Sequence, residues 1–149
     1  MDPCSESAIK AVLKELTSEE KLDDDKSPQA SAADWLINVD PEKVCADNRK
    51  QLVQRYALAT FYYETEGDKW KFCSASDDSP CNDIDNIDDD GAKLPFLSEG
   101  SECDWYGVDC DLAQTGKVTM FRLKPCEYSI LRIISIHNIW KTHISVLYY

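Results

Sequence analysis

Ile9, Val12, Leu13 and Leu16 recur at i, i+3, i+4 and i+7, which is one stripe of an amphipathic helix, and they predict a first helix between Ser5 and Leu16. The run Glu19–Lys26 has almost nothing to bury and reads as a solvated acidic linker, closing a first unit over residues 1–26. Ser27-Pro28 then offers an N-cap and an N1 proline, so a second helix is expected through Ala32, Ala33, Trp35 and Leu36. Asp40-Pro41 should end it, because the residue before proline is pushed out of the helical region. From about Asp47 to Glu64 a third helix sets Leu52, Val53, Tyr56, Ala59, Thr60 and Tyr63 along one face, with Gly67 as its stop. Residues 68–111 collect turn formers and acids and read as an irregular acidic loop. Val118–Leu123, just after Gly116, alternates β-branched and other residues as a short strand does.

Composition changes this picture only in places. A chain of 149 residues with 43% hydrophobic and 30% charged residues supports one modest core and excludes a large multidomain enzyme. The 28 acids against 16 bases give a net charge of −12, which repels phosphate backbones and argues against a nucleic-acid partner. That charge is uneven: residues 64–111 hold 15 acids and 3 bases, whereas residues 112–149 hold 1 acid and 5 bases. Six of the ten isoleucines fall in Tyr128–Tyr149. No membrane span is expected there, because Arg132, His137, Lys141 and His143 interrupt the roughly 18 apolar residues a span requires. The opening Met1-Asp2-Pro3-Cys4-Ser5-Glu6 has neither the basic start nor the apolar run of a secretory signal, which leaves the compartment open. The tryptophans at 35, 70, 105 and 140 are evenly spaced, but their neighbours disagree and no repeat follows from them.

One motif narrows the reading. Cys103-Asp104-Trp105-Tyr106-Gly107-Val108-Asp109-Cys110 has the pattern C-x-W-x-G-V-x-C and closely resembles the N-terminal cap of plant-type leucine-rich-repeat proteins. Ser27-Pro28-Gln29, Asp34-Trp35-Leu36, Gln54–Tyr63 and Gly67-Asp68-Lys69-Trp70 extend the likeness, over residues 27–123, to the cap region of diatom-type members. The resemblance implies that Cys103 and Cys110 pair, that Trp105, Gly107 and Val108 close the open end of the first repeat, and that a strand follows. Such a unit is needed because a solenoid's first repeat would otherwise leave its apolar end in water. A disulfide over so short an interval adds ~2–3 kcal/mol by the chain-entropy estimate. Val118, Phe121, Leu123 and Cys126 fit the template L-x-x-L-x-L-x-x-[N/C] once.

After Cys126 the likeness stops. Glu127-Tyr128-Ser129-Ile130-Leu131 continues where a second repeat would begin, so the repeat array is missing and residues 127–149 read as an atypical tail, as from a truncated or mis-spliced coding sequence. The expected architecture is α+β: N-terminal helices, then over residues 27–126 a disulfide-bridged cap region and one short strand. The function it implies is a non-catalytic interaction module of a receptor-like protein, binding protein or glycan through a full-length repeat array, extracellular or at the cell surface if the disulfide forms.

The remaining candidate chemistry is thin. Seven cysteines leave at least one unpaired; Cys73 and Cys81 form a plausible second bridge on spacing, and no C-x-x-C or nearby histidine supports zinc. Asn86, Asp88, Asp90 and Gly91 match positions 1, 3, 5 and 6 of a calcium loop, but position 12 is Leu97 and position 8 is Lys93. The alternative function is therefore a small acidic ion-binding protein using the 83–90 loop. Two histidines, both in the tail, and the lack of G-x-S-x-G, phosphate-loop or H-E-x-x-H patterns argue against an enzyme, and no cofactor is implied.

Overall fold

Three serines start the first three helices. In the computed structural model, which describes residues 2–70, 74–75, 94–111, 116–121 and 145–146, Ser5 caps α1 (Glu6–Lys14) by accepting from the amide of Ala8 at 3.3 Å. Ser18 caps α2 (Glu19–Asp23) through the amide of Lys21, and Ser27 caps α3 (Pro28–Asp34) through the amide of Ala30 at 2.9 Å. The segment expected as a linker is thus helical for five residues, because Ser18 satisfies an amide that a bare acidic run would leave open. Its solvated character holds, since α2 buries no residue.

Past Asp34 the helix widens into a π-helical turn over Trp35–Val39, with the amide of Asp40 donating to the carbonyl of Trp35 at 2.8 Å. The wide turn buries Trp35 and Leu36, leaves Val39 60% exposed, and delivers Asp40 to the interior. Pro41 stops the helix as expected.

α4 (Arg49–Glu64) occupies the position the sequence assigns it, but one apolar face understates its burial. Leu52, Gln54, Arg55, Tyr56, Ala57, Leu58, Ala59, Thr60, Phe61 and Tyr62 are all buried, so it is a central helix covered on nearly every side. α3 packs along it more extensively than any other element, and Leu13 of α1 is fully buried in the same core. Burying a leucine completely is worth about 1.5–3 kcal/mol, which anchors α1. The helix ends where Thr65 Oγ1 turns back onto the carbonyl of Phe61 at 2.8 Å. The left-handed residue is Glu66 (φ 52°), and not Gly67 as the stop signal suggested. Gly67 is required for another reason: a Cβ there would stand 2.1 Å from the Tyr62 ring.

The acidic region holds more structure than its turn formers indicated. Glu102–Asp104 makes a 3-10 turn, and β1 (Val108–Cys110) runs antiparallel to β2 (Val118–Phe121), with an irregularity in register between Asp109 and Cys110. A two-residue strand, β3 (Ser145–Val146), joins β2 in parallel, so the sheet order is β1-β2-β3. The protein is α+β as expected, with two strands beyond the single one read from sequence. A lone strand would leave its amides and carbonyls unpaired, and partners of two and three residues are too short to show an alternating pattern. No helix among the described residues is long and apolar enough to cross a membrane.

Candidate functional site

The cysteine motif folds as a tight clasp. Ser101 accepts from the amide of Cys103 at 3.2 Å and opens the 3-10 turn. The chain then passes through Trp105, turns at Gly107 (φ 75°), where the left-handed backbone favours glycine, and enters β1. Cys103 and Cys110 are joined by a disulfide with their Cα atoms 5.5 Å apart, which is the pairing the resemblance implied. Leu94 zips along the outside of the clasp: its amide donates to the carbonyl of Asp104 at 2.7 Å, and its carbonyl accepts from Tyr106 at 2.9 Å.

Trp105 points inward and is fully buried, as are Val108 and Val118. Its ring lies 5.4 Å from Phe96 and 6.0 Å from Trp35. Phe96 in turn contacts Trp70 at 5.1 Å and Tyr62 at 6.1 Å, so rings from the π-helical turn, α4 and the clasp form one chain of contacts. Trp35, Trp70 and Trp105 meet in this cluster although their sequence neighbourhoods have nothing in common. The indole N–H of Trp105 has no acceptor among the described residues.

Behind the tryptophan sits a charge that no local pattern announced. Arg55 is fully buried on α4, with its guanidinium 4.7 Å from the Trp105 ring and 5.3 Å from that of Trp35. It donates to both oxygens of Asp40, at 2.9 and 2.5 Å, and to the carbonyl of Gly100 at 2.9 Å. Glu102 stands 3.5 Å away and accepts from Gln54 at 2.9 Å and Gln51 at 3.3 Å. Gln54 completes the tie: its side chain donates to the carbonyl of Gly116 at 2.8 Å and accepts from the amide of Val118 at 3.0 Å. One turn of α4 therefore holds the end of α3, the clasp and the first residue of β2.

The arginine's donors are engaged by two carboxylates and a carbonyl, and Asp40 and Glu102 are themselves buried. Two adjacent polar residues inside an otherwise apolar helical run, Gln54 and Arg55 between Leu52 and Leu58, are the one signal that could have revealed the network. Cys4–Cys45, a second disulfide linking the start of α1 to the approach of α4, was also not foreseen, because 41 residues separate its halves and nothing local marks either. The amide of Ala46 reinforces it by donating to the carbonyl of Pro3 at 2.9 Å. Two disulfides are compatible with an oxidising, extracellular environment.

Of the other sequence candidates, Phe121 contributes its backbone to β2. Cys73, Cys81, Asn86, Asp88, Asp90, Leu123 and Cys126 lie outside the described residues. Among the described residues no group of three or more His, Cys, Asp or Glu side chains could hold a metal ion. Comparison with protein-family models, with curated proteins and with solved structures finds no match.

Proposed function

We propose that the chain is a non-catalytic interaction module, built as the N-terminal cap of a leucine-rich-repeat array that binds protein or glycan. The observation that carries this reading is the disulfide-closed Cys103–Cys110 clasp, with Trp105 buried beneath it and an antiparallel β1–β2 pair leading out. A cap must close one side of a sheet and leave the other to a parallel neighbour. Here β1 covers one edge of β2 in antiparallel fashion, while the opposite edge accepts a parallel neighbour in which Met120 faces Ser145. Strand-to-strand return in parallel after roughly 20–29 residues is the geometry of this repeat class. The Arg55 network serves the same end, because it clamps β2 to the helical part and gives the array a rigid base.

Residues 2–123 placed ahead of several consensus plant-type repeats test the proposal. The fusion should unfold in one cooperative transition at a higher temperature than the uncapped array. Two independent transitions, with the array's midpoint unchanged, would overturn it.

A further inference from the structure

On the helical part, away from the clasp and sheet, an open groove of about 520 Å³ runs between α1, α2 and α3. Its floor includes Leu22, Ile37 and Tyr63, all half-buried and packed against the core. Glu6, Asp23, Asp25 and Asp34 line it against a single cation, Lys10, which Glu6 already holds at 2.6 Å. All four carboxylates belong to exposed residues, and Asp34 accepts a neutral hydrogen bond from Asn38 at 2.7 Å.

We infer that this groove docks a basic amphipathic peptide segment of a partner protein. The sign of the lining selects a cation. Its spread over separate elements matches charges distributed along a chain, and no three acids among the described residues converge on a point where a metal ion could sit. A second copy of this chain, itself at −12, would be repelled. The apolar floor separates a peptide from a polyamine, because only the peptide brings side chains that remove Leu22, Ile37 and Tyr63 from water. Charges on such a rim steer and select the partner, and the floor supplies the holding contacts. The inference does not depend on the cap reading, since no groove residue belongs to the clasp or sheet.

Fluorescence anisotropy on the intact, oxidised chain tests it, with a fluorescein-labelled peptide of lysine and leucine at helical spacing as probe. Saturable binding should weaken at least about tenfold in D23K/D25K and again in L22S, variants on exposed or half-exposed positions whose fold is checked by circular dichroism. E99K/D104K makes the same change in net charge on the clasp side and should leave affinity within about twofold. The inference is overturned if the probe does not bind, if both double variants weaken it equally, or if spermine alone binds as tightly as the peptide.

Discussion

In the helical part, residues 2–70, order grows from neighbours: Ser5, Ser18 and Ser27 each satisfy an amide three residues ahead, and the core between α3 and α4 is mostly aliphatic and aromatic. In the clasp, residues 94–111, no element exceeds three residues. Its position depends on partners far away in sequence, namely Arg55, Gln54, Gln51 and the ring of Trp35. The two disulfides repeat the contrast. Cys4–Cys45 fastens a helix that also has capping and burial to hold it, whereas Cys103–Cys110 closes a short turn whose one strand, β1, pairs with β2 outside it. With so few hydrogen bonds inside its own short elements, the clasp is held by polar anchors from α4, whereas α1 and α3 have side-chain caps and a buried apolar face.

The sharpest way to break this contrast is to remove the anchor. Arg55→Met would leave the carboxylates of Asp40 and Glu102 buried without their cation, at a cost of about 3–5 kcal/mol. Arg49→Ala removes a bidentate pair to Glu15 of similar geometry, at 2.8 and 3.2 Å, but on the surface, and should cost less than about 1 kcal/mol. Urea denaturation of both variants makes the comparison, and equal losses would show that burial of the Arg55 network is not what holds the clasp.

Disulfide removal comes next. In the chain-entropy model, C4S/C45S should cost about 4 kcal/mol and C103S/C110S about 2.5, because the first bond closes the longer loop. The smaller loss should nevertheless disturb Trp105 more, which its fluorescence will report. If the Cys4–Cys45 variant shifts the tryptophan signal as much, the two regions are not separable in this way.

Gly67→Ala tests the joint between the regions, since its Cβ would collide with the Tyr62 ring that stacks on Phe96. Thermal unfolding should register about 1–3 kcal/mol of overpacking, and no change would mean that the turn shifts freely. The mildest effect is confined to alkali. Burial pushes the Tyr56 hydroxyl up to about 12, from an ordinary value near 10. Its folded value lies above its unfolded one, so this contribution is complete below pH 10 and is lost as pH rises from about 10 toward 12. A pH series with Tyr56→Phe should give the flatter curve in that window, and identical curves would refute the assignment.

How much was legible follows the same division. Ser27-Pro28 and Asp40-Pro41 bracketed the α3 segment because capping and proline geometry act over a few residues. The α4 span was legible for its length and apolar content, though its all-round burial was not, since a single face shows only one neighbour. The Cys103–Cys110 pairing and the burial of Trp105 were reached through the likeness to a known motif, whereas the partners of Arg55 and Gln54 and the Cys4–Cys45 pairing left no trace in local spacing.

By itself the sequence determined what depends on neighbouring residues: the cap and proline that bracket the α3 segment, the presence of α1 and α4, and that β2 should follow Gly116. Only the tertiary structure decided which charges face inward and which strands pair. A buried ion pair is stable only after both partners have lost water and found each other. A two-residue strand has no stability until its edge is matched, and neither condition is met before the chain has folded.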